Sequence, residues 1–427
     1  MGSVVVAGAK NAVTKQIVAT LLCDQPCVLE NVPRTSEVEA TLRMVSALGT
    51  WHEWLAPCTL LLHTPALAAS AVGRAHERLN RIPLLALGPL LHRAGEARVP
   101  LPGGCPIGSR HTDFHLALFS RMGAEVELNP TGFSARGRLR GTCLELPYPS
   151  VGATENALLA AVLAPGRTEI HNAAVEPEIR DTVGMLRRMG ARIRVHASAR
   201  RMAIEGVARL GGVRHRVMPD RTEAASFAMA AAATGGRVEV VGAERCHLGP
   251  FLRVFRALGG AWCSSPRTMT FFRGETLHPV TVETGPYPGF STDWLPPLVV
   301  LLTQARGVSA VHETVFEDRL GYAVRLGATG ARFTVGDGCL AGRACRFAGQ
   351  GHFHSCRVFP SQLHGAHLVA PDLRGGFAML LAALMARGTS RLEHVERVER
   401  GYAELAEKLC GLGAQVRVES RRWRTAA

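Results

Sequence analysis

Residues 187–195 read Arg-Arg-Met-Gly-Ala-Arg-Ile-Arg-Val, the end of a helix-like run, then a glycine, then an alternating β-like stretch. The same phrase returns five more times, as SALGTWHEW (46–54), SRMGAEVEL (120–128), RALGGAWCS (256–264), GATGARFTV (327–335) and CGLGAQVRV (410–418). Glycine after an amphipathic helix supplies a left-handed cap from which the chain can enter a strand. Gly49, Gly123, Gly190, Gly259, Gly330 and Gly413 are therefore predicted to close six helices. They lie 67 to 83 residues apart, beyond the ~20–50-residue period of ordinary solenoids, so each unit should be a small α/β subdomain in its own right.

A second helix recurs in most units, apolar nearly all round, as a helix inside a domain should be. Its instances are GAKNAVTKQIVATLL, GATENALLAAVLAPG, DRTEAASFAMAAAATGG, STDWLPPLVVLLTQARG and PDLRGGFAMLLAALMARG, with β-like segments such as TEIHNAA and SRLEHVE between the two helices. The unit reads helix, strand, amphipathic helix, strands, repeated six times at about 70 residues. A chain of 427 residues is too long for one core, since single cores stop growing near ~250–300 residues. Three units in each of two α/β domains is the expectation, with helices inside and sheets wrapped around them. The boundary falls at VMPDRTEA, giving residues 10–219 and 220–427, with residues 1–9 a candidate addition to the second domain.

The composition, 47% apolar, 20% charged and 6% aromatic, describes a globular chain and excludes bulk disorder. No apolar run reaches the ~18 residues of a membrane span, and MGSVVVAGAKNAVTK lacks the parts of a secretory signal. Eleven cysteines at irregular spacing read as reduced thiols of a cytoplasmic protein. The net charge of +14 favours anionic ligands. Only Lys10, Lys15 and Lys408 are lysines, and the 46 arginines are scattered through the chain. Nucleic-acid binders cluster their charge, so small anions, not nucleic acid, are the expected partners.

Eight short motifs then occur in order: GAKNA, LPGGCPIGSR (101–110), PSVGATENALLAA from Pro149, HNAAVEPEIRD, STDW, HETVFEDR, PDLRGG and ERGY. This series resembles the UDP-N-acetylglucosamine enolpyruvyl transferases, collinearly from about Gly8 to Val418. The resemblance implies a fold of two inside-out α/β barrels facing each other across a cleft. It also implies transfer of the carboxyvinyl group of phosphoenolpyruvate to a sugar hydroxyl with release of phosphate, without a cofactor. Such a reaction needs an acid for the methylene carbon, a base for the hydroxyl, and cations around phosphate and carboxylate.

Lys10 and Asn11 stand at the expected start of the first buried helix, where amides and the helix dipole favour anions. The resemblance makes Lys10 a catalytic phosphoenolpyruvate ligand and Asn11 a contact to donor and acceptor. Cys105 sits among glycines and prolines, the mark of an exposed loop; the resemblance makes it the proton donor, whereas Cys23 and Cys410 read as buried thiols. Asp293 reads either as a helix N-cap or, by resemblance, as the base for the acceptor hydroxyl. Arg110, Arg319, Arg374 and Arg400 are the implied clamp on the phosphoenolpyruvate anion, with Asp372 sharing their site. For the nucleotide, the resemblance points to Arg81, Arg110, His111, Thr112, Asp113, Phe114, His115, Ser150, Val151, Gly152, Asp293 and Val315.

Some positions depart from the family pattern. His111 stands where proline is usual, Ile82-Pro83 where small residues approach the sugar, and Tyr148-Pro149 precede Ser150. Only nine residues precede Lys10, so an edge of the second domain is expected to be missing or rebuilt, with Val4–Val6 as a remnant. These changes bear on the acceptor. UDP-N-acetylglucosamine is the expected one, a simpler nucleotide such as UMP the second reading, and a catalytically degenerate nucleotide-binding homologue the third. GHFHSCRVFPSQLHGAH gathers His352, His354, Cys356, His364 and His367, but it matches no zinc spacing. No metal site is expected.

Overall fold

The structure, a computed structural model, describes residues 2–104, 107–108, 112–317, 319–340 and 344–419. All six recurring glycines have positive φ, between 85° and 109°. At Gly49 a side chain would meet the Ala66 carbonyl at 2.7 Å, and at Gly259 the Thr276 carbonyl at 2.3 Å. Close backbone approach thus adds to the left-handed turn in excluding any other residue. Five of the six glycines lead into strands, Trp51–Ala56, Glu125–Asn129, Arg192–His196, Gly260–Ser265 and Arg332–Gly336. After Gly413 the expected strand does not form, because residues 414–419 find no partner strand.

Among the described residues the strands make six sheets, four of them with four strands in one shared connectivity. In each, a short edge strand runs parallel to the strand that follows a buried helix, and an antiparallel hairpin completes the sheet. Arg214–Arg216 pairs this way with Cys27–Glu30, Cys143–Glu145 with Arg167–His171, and Thr281–Glu283 with Ser309–His312. The fourth instance is Gly2–Val5 alongside Arg237–Val241, with Val4 opposite Val240. The expected gap at that edge is therefore filled, and Val4 and Val6 are 3% exposed.

The apolar helices are enclosed as their composition requires. In Arg221–Thr234 every residue from Arg221 to Ala233 is buried, because alanine lets sheets approach from all sides. Lys10–Ala19, Val151–Ala161, Leu295–Leu302 and Leu373–Met385 hold the other expected places. Buried apolar side chains form two separate cores. One draws on residues from Ala9 to Met218, the other on Val4, Val6 and residues from Ala224 to Leu409. The chain crosses between them twice, side by side: Ala9 N–H donates to the Met218 carbonyl at 2.7 Å and Asp220 N–H to the Ala7 carbonyl at 2.8 Å. Among the described residues no helix is long and apolar enough to cross a membrane.

Candidate active site

The second core presents three helix starts to the first. Asp220 caps Arg221–Thr234, accepting from Thr222 N–H at 2.7 Å and Glu223 N–H at 3.2 Å. Asp372 caps Leu373–Met385, accepting from Arg374 N–H at 2.9 Å and Gly375 N–H at 3.2 Å. Such caps satisfy amides that a helix leaves without partners. At the third start the cap is Ser291, whose hydroxyl accepts from Asp293 N–H at 3.3 Å; the alternative of Asp293 as cap does not hold. Thr292 donates its hydroxyl to Glu313 Oε2 at 2.7 Å. Asp293 is left with its carboxylate free of capping duty.

Two buried arginines take hold of that carboxylate. Arg319 Nη2 donates to Oδ1 at 3.1 Å and Arg374 Nε to Oδ2 at 3.2 Å. Burial alone would raise the Asp293 carboxyl, but Arg374, Arg319 and Lys10 outweigh it and hold it well below the ordinary carboxylate range. Arg319 also stands 3.9 Å from Asp372 Oδ1. Among the described residues, Nη1 and Nη2 of Arg374 are buried with no well-formed hydrogen bond, the guanidinium lying 5.3 Å over the Tyr402 ring. Unsatisfied charged donors are costly inside a protein, so this guanidinium is a ready seat for an anion.

Glu313 organises the neighbouring turn. Its buried carboxylate accepts from Thr284, Thr292, Val315 N–H and Phe316 N–H at 2.7–3.1 Å. Val315 and the Asp293 segment are thereby tied to one anchor.

These groups form one wall of a cavity of about 400 Å³ between the cores. Of the residues singled out in the sequence, Lys10, Asn11, Arg81, Phe114, His115, Ser150, Val151, Gly152, Asp293, Val315, Arg319, Asp372, Arg374 and Arg400 line it. Thr112 lines a shallower recess beside it, together with Arg81. Asp113 is exposed at the start of Asp113–Arg121 and lines neither. Cys105, Arg110 and His111 lie outside the described residues.

The opposite wall is quieter. Ser150 caps Val151–Ala161, accepting from Ala153 N–H at 3.3 Å. Behind it His115 is 4% exposed, with Asn156 Nδ2 donating to its Nδ1 at 2.9 Å. Burial, then Arg81, pushes this imidazole down to about 3, so it is neutral. Glu155 is pushed up to about 7 by burial, against the pull of Lys15, 4.0 Å away. Ile82 lines the cavity, while Pro83 packs into the core behind it.

Ion pairs join the two walls. Arg400 reaches Glu37 Oε2 at 2.8 Å and Arg221 Nε reaches Glu178 Oε1 at 2.8 Å. Sequence reasoning missed Glu37, Glu155, Glu178, Arg221 and Arg346 of this site. Glu155 and Glu178 stand inside quoted motifs, SVGATEN and VEPEIRD, and could have been found there. Glu37 and Arg346 carry no local signal. Cys410 is exposed, not buried, whereas Cys23 is buried with its sulfur 3.6 Å from that of Cys27.

Residues 1–409 match the EPSP synthase (3-phosphoshikimate 1-carboxyvinyltransferase) family, and the chain belongs to that family. It is 43% identical over 424 residues to a Chlamydia pneumoniae protein named UDP-N-acetylglucosamine 1-carboxyvinyltransferase, covering 98% of this chain and 92% of the relative. A Gluconacetobacter diazotrophicus protein of the same name is 41% identical over 419 residues, covering 97% and 96%. In fold, it is similar to the enolpyruvyl transferase NikO from Streptomyces tendae, with a TM-score of 0.86 and 23% identity over 98% of this chain and 96% of that one. An EPSP synthase from Acinetobacter baumannii superposes with a TM-score of 0.72 at 18% identity, covering 96% and 95%. The fold is the mixed α/β fold of enolpyruvyl transferases.

Proposed function

We propose that the chain transfers the carboxyvinyl group of phosphoenolpyruvate to a hydroxyl of UDP-N-acetylglucosamine and releases phosphate. The observation that carries this reading is Asp293 held between Arg319 and Arg374, on one wall of a cavity whose other wall begins a helix with Ser150, Val151 and Gly152. Paired with Asp293, the arginines keep it ionised and weakly basic. An entering phosphoenolpyruvate offers them a phosphate and a carboxylate instead. As the arginines turn to that anion, Asp293 regains basicity and can take the proton of the acceptor hydroxyl. The hydroxyl oxygen then adds to C2 while an acid protonates C3, and loss of phosphate with a C3 proton restores the vinyl group. Cys105 is the acid in this reading, Lys10, Arg374 and Arg400 cradle the anion, and Asp372 fixes the start of the helix that carries Arg374.

The same reading takes residues 10–219 and 220–427, with 1–9 added, as two inside-out barrels of three units each. Two separate cores, two adjacent crossings and six left-handed glycines support it. The ten described cysteines are all free, which fits a reducing, cytoplasmic setting.

The test is phosphate release from phosphoenolpyruvate with UDP-N-acetylglucosamine, UDP, UMP and shikimate 3-phosphate in parallel. Release with UDP-N-acetylglucosamine, lost in Cys105→Ala and partly kept in Cys105→Asp, is expected. A preference for UMP would favour the second acceptor, in keeping with Ile82 in the cavity wall. Release with shikimate 3-phosphate alone would overturn the uridine-nucleotide reading.

A further inference from the structure

Outside the cavity, four side chains from two segments meet. His312 ends the strand Ser309–His312, Cys339 and Cys345 belong to the connection between Arg332–Gly336 and Ser355–Phe359, and His354 closes that connection. One ligand atom from each lies within 4.8 Å of all the others. Cys339 Sγ is 3.5 Å from Cys345 Sγ and 3.5 Å from His354 Nε2. With metal–sulfur bonds of about 2.3 Å and metal–nitrogen bonds of about 2.0–2.1 Å, tetrahedral geometry sets sulfurs about 3.8 Å apart and sulfur from nitrogen about 3.6 Å. The spacing matches that of a tetrahedral ligand set.

The surroundings orient the ligands. His312 is 1% exposed, and its Nδ1 faces Glu283 Oε2 at 2.8 Å while Nε2 is buried with no hydrogen-bond partner among the described residues. His354 is 0% exposed, and its Nδ1–H donates to the His352 carbonyl at 2.7 Å, which leaves Nε2 as the lone-pair nitrogen. A carboxylate or carbonyl on the far nitrogen is the usual support of a metal-binding imidazole. The sulfurs are supported too: Cys345 N–H points to Cys339 Sγ at 3.4 Å and Phe347 N–H to Cys345 Sγ at 3.3 Å. Such donors favour thiolates, the form that binds metal.

We propose that His312, Cys339, Cys345 and His354 form a closed tetrahedral site for one soft divalent cation of the zinc class. Two thiolates and two imidazoles select zinc over magnesium or calcium, which prefer oxygen. Four protein ligands leave no position for substrate, so the role is structural. The ion pins a long connection against the strand that leads into Glu313 and Val315. The next residue along from Cys345 is Arg346, whose guanidinium donates to the Val315 carbonyl and lies 4.5 Å over the Tyr148 ring at the cavity. Holding Arg346 there is the consequence for the site. The sequence reading, which expected no metal site, sought ligands along one stretch; of its five candidates only His354 belongs to this group.

The full chain, purified and dialysed free of loose metal, should carry one zinc per chain by elemental mass spectrometry. Cys339→Ser/Cys345→Ser should carry none, and Cys58→Ser, an exposed thiol elsewhere, should keep it. Glu283→Gln should weaken zinc about 10–100-fold. A readout on the unaltered protein covers the case in which the double variant fails to fold. Added zinc should protect Cys339 and Cys345 from maleimide, mapped by peptide mass, and a chelator should restore their reaction. Substoichiometric metal after zinc addition, metal kept in the double variant, equal alkylation with and without zinc, or a Cys339–Cys345 disulfide in the fresh protein would each overturn the proposal. None of these readouts depends on catalysis.

Discussion

The two walls of the cavity are built from the same part, a capped helix start, and use it in opposite ways. On the second-core wall, Asp372 closes the amides of Leu373–Met385 while Arg374, in the helix's first turn, reaches out to Asp293. Charge there is dense, paired and displaceable. On the first-core wall, Ser150 closes Val151–Ala161 with a neutral hydroxyl, and the ionisable groups behind it are driven toward their uncharged forms by burial. In the proposed function the reacting anion takes the first arrangement, and the nucleotide, held but not attacked, takes the second, where small residues and a helix dipole suit phosphate without mobile protons.

The largest effect that tests this contrast is at Asp293. Asp293→Asn keeps the shape and removes the proposed base, so kcat should fall by about 10²–10⁴-fold, with nucleotide affinity retained in calorimetry. A loss of nucleotide binding of similar size would erase the distinction between walls.

Arg374→Ala should come next. Removing a buried charge-assisted contact costs about 2–5 kcal/mol, so phosphoenolpyruvate use should weaken by at least tenfold, with the uridine-nucleotide Kd unmoved. Equal losses for both ligands would place Arg374 in the general scaffold.

The quiet wall makes a pH prediction. Glu155 titrates near 7 when folded and near its ordinary ~4.3 when unfolded. Between those values the folded state binds the extra proton, so stability falls as pH rises through the window. His115 has the reverse sign: near 3 when folded against ~6.5 unfolded, its contribution is lost as pH falls from the unfolded value to the folded one. Thermal melts should show Glu155→Gln gaining on the wild type as pH rises from about 4 to 7, and His115→Gln gaining on it as pH falls from about 6.5 to 3, each by an amount on the order of 3–5 kcal/mol across its window. Parallel melting curves for wild type and variants across pH would mean that neither group is held neutral.

The smallest expected effect is at Asp113, which lines no part of the cavity. Asp113→Asn should change acceptor KM by no more than about twofold, the ordinary scale of a surface substitution. A larger change would extend the nucleotide wall beyond the cavity as described.

Much of the fold was legible in the order of residues alone. The six glycines were readable because a left-handed helix cap is decided within a few residues, and every one of them has positive φ. Lys10 was expected to begin a buried helix and does. The strand after Gly413 was misread because a β-like stretch becomes a strand only if a partner edge is offered. The choice left open at Asp293, cap or base, was settled against the cap by Ser291 two residues earlier, since both residues are good caps by type.

By itself, then, the sequence determined what short-range physics controls: where helices stop, which helices are apolar on every side, and which short motifs sit at their starts. Tertiary structure alone decided which charges meet. Among the arginines, Arg319 and Arg374 reach Asp293, the second across 81 positions of chain, and Arg400 reaches Glu37 across 363. It also decided that His312 and His354 share a space with Cys339 and Cys345, though no spacing along the chain announces it. The reason is that backbone preference acts over a few residues, while the strength of a charge pair or a metal site depends on distances and burial that exist only once the sheets have closed around their helices.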